Sequence, residues 1–246
     1  MLRRIIVFCL FILIILLATP GTLDPAEHYE ELRRNLIKQI IDDVRSTSRY
    51  LKKTTLDEQV LNAMSDVPRH LFVPKAYRQH AYENRPLPIG EGQTISQPYI
   101  VAIMTDLLSI KPADVILEIG TGSGYQAAIL AKLASQVYTI EIIKTLQRSA
   151  AERLTSQGYN NITTKLGDGY YGWQDYAPFD AIMVTAVAGQ IPPPLIKQLK
   201  PGGKMVIPVG GAFMTQYLML VEKNINSTIS TRQILPVRFV PLTGKH

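Results

Sequence analysis

The sequence predicts an α/β fold: a doubly wound, mostly parallel sheet that ends in an antiparallel C-terminal hairpin and follows an N-terminal helical preface. Three observations carry this. From residue 114 onward, strand-like and helix-like runs alternate, which implies parallel strands covered on both faces by helices. The first of these strands, Val115-Ile116-Leu117-Glu118-Ile119, runs into a turn with glycines at every second position, Gly120, Gly122 and Gly124, and then into a helical run. The last two apolar runs follow each other without a helix, and a parallel pair would need a long crossover between them. With 246 residues, 46% of them hydrophobic, the chain has enough material for a core of this type.

The elements follow in order. Arg3 and Arg4 precede an uninterrupted apolar run from Ile5 to Ala18 and then Thr19-Pro20-Gly21, the n-region and h-region of a secretory signal. The run is shorter than the roughly twenty apolar residues of a spanning helix, and no A-x-A cleavage site follows it. Residues 1–21 are therefore expected to be a signal peptide or a membrane anchor, with membrane contact through residues 5–18. The arginines would hold the N-terminus inside and direct the rest of the chain outward. Cys9, the only cysteine, lies in this run, so the remainder can form no disulfide and suits either redox compartment.

Residues 26–110 form the preface and a loop. Ala26 to Ser46 carries Leu32, Leu36, Ile37, Ile40, Ile41 and Val44 at helical spacing. Arg33, Arg34 and Lys38 are expected on its solvated outer face. Thr55-Leu56-Asp57-Glu58 reads as a capping box that opens a second helix. The polar, turn-rich segment Leu87 to Tyr99 looks like an active-site loop, although Ser96 taken alone is most simply the N-cap of a helix beginning near Pro98.

Residues 111–246 form the core, and 26–246 is expected to be one compact domain. The windows are strand 114–119, helix 124–133, strand 137–141, helix 143–157, strands 161–166 and 179–186, helix 193–199 and strand 204–209. Gln216 to Val221 and Ile234 to Leu242 make the closing hairpin.

Charge excludes some functions. The net charge of +6 falls to +4 without Arg3 and Arg4, too weak and dispersed for a nucleic-acid footprint. His28, His70, His80 and His246 show no metal-ligand spacing. Each reads as a surface residue, and no metal is expected.

The glycine turn points to a bound cofactor, because it lets the backbone approach a ligand and is followed by the positive end of a helix. A nicotinamide fingerprint would place its third glycine at position 125, where this chain has Tyr125. The spacing, with Glu118 just ahead, resembles instead the first motif of S-adenosylmethionine-dependent methyltransferases with Rossmann-like sheets. Glu141 ends a β-rich run about twenty residues past Gly120, the offset at which a carboxylate meets a ribose; without the glycine turn it would read as a strand end in water. Asp168, in Gly167-Asp168-Gly169, suits a turn and equally a hydrogen bond to an adenine amino group.

Taken together, the motifs PIGEGQTISQPY, VLEIGTGSGY, GDG, PFDAIMVTA, QLKPGGKMVIPVG and the terminal RFVPL resemble the protein-L-isoaspartate O-methyltransferase family over roughly residues 50–242. The resemblance implies S-adenosylmethionine as methyl donor, isoaspartyl proteins and peptides as partners, and a monomeric catalytic domain. Glu118, Gly120, Gly122, Gly124, Glu141, Asp168 and Gly169 fall at cofactor positions. Ser96, with Thr94 and Ile95, falls where the family holds the acceptor carboxylate, and Val240 and Pro241 fall on a substrate-side strand. The implied reaction is carboxyl methylation of L-isoaspartyl residues, whose ester then closes to a succinimide that initiates repair. The acceptor is already anionic at neutral pH, so no general base is required. Val187 departs from the family's paired alanines and is expected to narrow the cleft. The family and its cofactor supply imply the cytoplasm, whereas residues 1–20 favour a membrane-associated or exported protein. The rival readings are a methyltransferase for a small molecule or RNA, and a non-catalytic membrane-tethered module that binds damaged proteins.

Overall fold

The computed structural model describes residues 25–211 and 214–245. The expected signal or anchor at 1–21 lies outside these residues. Among those described, no helix is long and apolar enough to cross a membrane.

The preface comprises α1 (Pro25–Ser46), α2 (Ser48–Leu51) and α3 (Glu58–Asp66). Helix α1 buries Leu36, Ile40 and Val44, spaced at four-residue intervals along its inner stripe. The second long helix starts later than the Thr55 box implies. Its N-cap is Asp57, whose side chain accepts from Gln59 N at 2.8 Å. The cause is tertiary, because the buried Asp106 carboxylate takes the Asp57 N–H at 2.7 Å and Lys53 Nζ at 2.5 Å, fixing the chain just before the helix. Arg34 pairs with Glu30 on the solvent side as expected. Arg33 does not: its Nη1 donates to Ser65 O at 2.5 Å and its guanidinium lies 5.9 Å from the Tyr82 ring centre. His70 is likewise no surface residue. It stacks on Tyr29 at 3.9 Å, bonds Tyr82 Oη at 2.8 Å, and burial holds its imidazole down at about 4.

Strands β1 (Leu87–Gly90) and β2 (Gln93–Ile95) make a short antiparallel hairpin ahead of α4 (Pro98–Leu108). The core then runs β3 (Val115–Ile119), α5 (Tyr125–Ala131), β4 (Gln136–Glu141), α6 (Lys144–Ser156), β5 (Ile162–Leu166) and β6 (Phe179–Val184). It finishes with α7 (Pro193–Gln198), β7 (Leu199–Val209), β8 (Gln216–Lys223) and β9 (Ile229–Val237). The large sheet has the order β5-β4-β3-β6-β7-β8-β9, with β5 to β7 parallel and the last two strands antiparallel.

Side chains alternate across the sheet with the period of two that a strand dictates. Ile116, Ala181, Met183 and Val206 face a layer shared with α1, α3, α4 and α5, whereas Leu117, Ile182, Val184 and Met205 face one shared with Trp173 and Leu195. Both layers are apolar, which is why the central strands read as continuous hydrophobic runs.

Several boundaries differ from expectation, three of them in strands that frame the cleft or close the sheet. β6 ends at Val184, two residues early, because Thr185 turns back to bond the Ile119 and Gly120 carbonyls at 3.0 and 2.7 Å. β7 begins five residues early, at Leu199. β9 covers 229–237 instead of 234–242: residues 229–233 are exposed on an edge strand and lack an apolar signal, while Pro241 leaves the sheet edge to bridge Val187.

Candidate active site

The order of the strands decides where a ligand can lie. From β3 the chain winds outward to β4 and β5, then returns to lay β6 on the other side of β3. The loops leaving the carboxyl ends of β3 and β6 therefore diverge and leave a crevice at the switch point. A cleft occupies it, as expected at a topological switch point of such a sheet. The ends of four successive parallel strands supply its floor: Gly120 to Ser123 after β3, Glu141 to Ile143 after β4, Gly169 after β5, and Thr185 and Ala186 after β6. The hairpin side contributes Gln93 to Ser96, and the chain's end contributes Val240 to Thr243.

The glycine turn is held by its neighbours. Gly120 N donates to Ile140 O at 2.8 Å, and Gly124 N to Thr121 O at 2.8 Å. Gly120 has φ +95°, and a Cβ there would collide with Thr185 Oγ1. Gly169 is required by close approach alone, since a Cβ would run into Ile119 Cγ2.

Glu141 is buried, not a strand end in water. Its Oε2 accepts from Gly122 N and its Oε1 from Ile143 N, both at 2.9 Å. Each oxygen keeps a further lone pair, so a carboxylate locked in this way presents acceptors to a pair of hydroxyl donors in the cleft.

Glu118 stands back from the cleft. It is fully buried beneath the turn, and its Oε2 accepts from Thr139 Oγ1 at 2.5 Å, which in turn meets Thr121 Oγ1 at 2.7 Å. Its Oε1 has no partner among the described residues. Burial pushes its carboxyl up to about 8, with the Thr139 hydrogen bond opposing and the nearby Glu141 charge adding. A neutral Glu118 thus underpins Thr121 through Thr139. Gly124 and Asp168 are also absent from the lining. Asp168 caps the short turn of helix that follows, accepting from Tyr170 N at 3.0 Å, and also accepts from Lys245 N at 3.1 Å.

Ser96 is not the cap of α4. That position belongs to Gln97, which makes no side-chain cap bond, and the Ser96 hydroxyl has no hydrogen-bond partner among the described residues. Ser96 instead lines the cleft together with Thr94, Ile95, Val240 and Pro241. A second cleft adjoins the first and is lined by Pro86, Gln97, Ile100 and Arg238 among others. Thr94, Ser96, Thr185 and Val240 line both. Val187 lines neither: it is buried, and its backbone N–H and C=O bond Val240 O and Leu242 N at 2.9 and 2.8 Å, so it fastens the C-terminal segment and does not narrow the cleft.

Reasoning from sequence missed Gln126, Thr185 and Arg69. Gln126 reaches Thr105 Oγ1 at 3.0 Å from the cleft wall. Thr185 was visible as the polar residue closing a buried strand. Arg69 is the lone charge in Val67-Pro68-Arg69-His70-Leu71-Phe72, yet it is fully buried. Among the described residues, no group of three His, Cys, Asp or Glu could hold a metal ion.

A glycine turn at the switch point and a buried carboxylate after the second strand suit an adenosyl cosubstrate such as S-adenosylmethionine. The residues fit that cosubstrate: the turn carries no side chain at Gly120 or Gly122, and a Cβ on Gly122 would meet only Ile89 Cδ1 of the hairpin, at 3.4 Å.

The family model of protein-L-isoaspartate(D-aspartate) O-methyltransferase matches residues 42–246. Protein-L-isoaspartate O-methyltransferase 2 of Syntrophobacter fumaroxidans is 58% identical over 238 residues, 96% of each chain. Protein-L-isoaspartate O-methyltransferase 1 of Cupriavidus necator is 61% identical over 87% of this chain and 83% of its own. A solved Plasmodium falciparum structure, described as a protein-L-isoaspartate O-methyltransferase in complex with S-adenosyl-L-homocysteine, superposes with a TM-score of 0.71 at 26% identity, covering 87% of this chain and 98% of that one. The chain belongs to the protein-L-isoaspartate(D-aspartate) O-methyltransferase family. Neither a small-molecule or RNA methyltransferase nor a non-catalytic tethered module is favoured.

Proposed function

We propose that the two adjoining clefts transfer a methyl group to the free carboxylate of L-isoaspartyl residues in damaged proteins and peptides. S-adenosylmethionine, when bound, supplies an electrophilic methyl group on sulfonium sulfur. Glu141 accepts from the ribose hydroxyls, the turn that ends at Gly124 wraps the methionine end through Gly120 and Gly122, and Gly169 borders the adenine end, with Asp168 fixing that loop through Tyr170 N and Lys245 N. Glu118 serves this set from below by holding Thr121 through Thr139.

Ser96 donates its hydroxyl to the acceptor carboxylate, with Thr94, Ile95, Val240 and Pro241 shaping the groove around it. It orients and does not attack. The acceptor is ionised at neutral pH, so no side chain needs to remove a proton, and catalysis comes from alignment and exclusion of water, terms that reach several kcal/mol.

What supports this reading above all is that Ser96, Thr94, Thr185 and Val240 line both clefts, so an acceptor in the second can meet a donor in the first. The protein is expected to label an isoaspartyl peptide from labelled S-adenosylmethionine, to spare the same peptide with normal aspartate, and to release methanol from the product in base. Equal labelling of both peptides by folded, cofactor-binding protein would overturn the acceptor assignment.

The domain at 26–246 acts as one unit and as a monomer in this reading, and residues 1–21 act as a signal or anchor for it. Fractionation of cells expressing the full chain tests the last point, since a full-length, unprocessed chain in the soluble cytoplasmic fraction refutes it.

A further inference from the structure

Arg69 is the largest fully buried side chain of the described residues. Losing water around a guanidinium is costly, and such a group persists where donors and an aromatic face replace the solvent. Here Nε donates to Ala81 O at 2.9 Å and Nη2 to Ser96 O at 2.8 Å, while the guanidinium carbon lies 4.9 Å from the centre of the Tyr125 ring. Nη1 has no partner among the described residues.

The identity of these partners gives the contact its meaning. Ala81 precedes β1 and Ser96 follows β2, so Arg69 grips the chain on both sides of the hairpin that walls the cleft. Tyr125 is the first residue of α5, directly after the glycine turn, and it lines the cofactor cleft. One side chain thus touches the element carrying the acceptor loop and the element carrying the cofactor turn. The Ser96 hydroxyl has no partner of its own among the described residues, so its direction depends on its backbone, and Arg69 holds that backbone at the carbonyl.

We propose that Arg69 is a positioning residue for methyl transfer: by fixing the Ser96 carbonyl against Tyr125, it sets the Ser96 hydroxyl relative to the cofactor turn. The inference rests on the reading of Ser96 as the donor to the acceptor carboxylate. Lysine retains the charge but cannot supply a fixed two-pronged donor set, so Arg69→Lys isolates geometry from charge.

The test is a double-mutant cycle in the full chain with Arg69→Lys, Ser96→Ala and both together. It reads kcat/KM for an isoaspartyl peptide at saturating S-adenosylmethionine, normalised to the cofactor-binding sites counted by calorimetry. Arg69→Lys is expected to lower kcat/KM by roughly 10- to 100-fold, as misplacement by an ångström does, with a much smaller change in cofactor affinity. In the Ser96→Ala background the same substitution should cost little, because no hydroxyl is left to orient. Independent, multiplying losses would overturn the role of Arg69 while leaving Ser96 as donor. An unimpaired Ser96→Ala single variant would overturn both readings. If Arg69→Lys binds no cofactor, Arg69→Gln replaces it in the cycle, and failure of both variants to fold makes Arg69 a structural residue and overturns the proposal.

Discussion

The cofactor half and the acceptor half of the cleft are built by opposite means. The cofactor half comes from short contiguous loops at the ends of neighbouring strands, and its contacts are largely backbone: Gly122 N and Ile143 N fix Glu141, and Gly120 N is tied to Ile140 O. The acceptor half is assembled from segments far apart in the chain, with residues 94–96 lining the cleft together with Val240 and Pro241. Only side chains and a few bridges hold these together, among them Arg69 on Ser96 and Val187 on residues 240–242. Contiguous backbone fixes geometry cheaply and tolerates no added atom. Distant segments leave room to vary the groove while depending on buried polar clamps.

Gly120→Ala should break the cofactor half most completely. The backbone at φ +95° disfavours any side chain, and the added Cβ meets Thr185 Oγ1, which two hydrogen bonds prevent from swinging away. Left-handed backbone alone costs about 1–2 kcal/mol, and the collision adds to that. Calorimetric titration with S-adenosylmethionine is expected to show no binding, and near-normal affinity would show that the turn is softer than its contacts imply.

Glu118→Gln sharpens the comparison, because it tests the layer beneath the turn without touching the cleft. The unfolded chain releases this proton near the ordinary glutamate value of 4.5, whereas the folded protein keeps it to about 8. Between those values the unfolded state binds fewer protons, so this group makes stability fall as pH rises. Glutamine cannot ionise but retains an acceptor for Thr139. The variant's gain over the parent should therefore grow from about pH 5 to pH 8, reaching a few kcal/mol, as read from melting temperature against pH. Parallel curves would show that Glu118 is ionised in the folded protein.

Ser96→Ala is the smallest change and belongs to the acceptor half. Loss of one hydrogen bond to a carboxylate is worth roughly 1.5–3 kcal/mol, hence about tenfold or more in turnover. Cofactor affinity should be untouched, and so should melting temperature, since the α4 cap lies at Gln97. A destabilised but fully active variant would return Ser96 to a capping role.

Much of this was legible in the sequence, and the reason is locality. The glycine turn, Glu141 and the sheet strands are set by neighbours within one supersecondary unit, where spacing carries the geometry. The preface was legible as helices, but its details were not: Asp106 takes the Asp57 N–H and shifts the helix start, and Arg33 turns inward to Ser65 O. The edge strand β9 was misplaced because exposed residues 229–233 carry no hydrophobic pattern.

By itself, then, the sequence determined the doubly wound class, the location of the cofactor turn and the family, because chemistry at fixed short spacing survives as a string of residues. Only the tertiary structure decided that Glu118 lies under the turn and not in it, that Ser96 is free of α4 and sits between two clefts, and that Arg69 joins them. Each of those depends on burial and on contacts between residues distant in the chain, where the loss of water decides which polar groups must find one another.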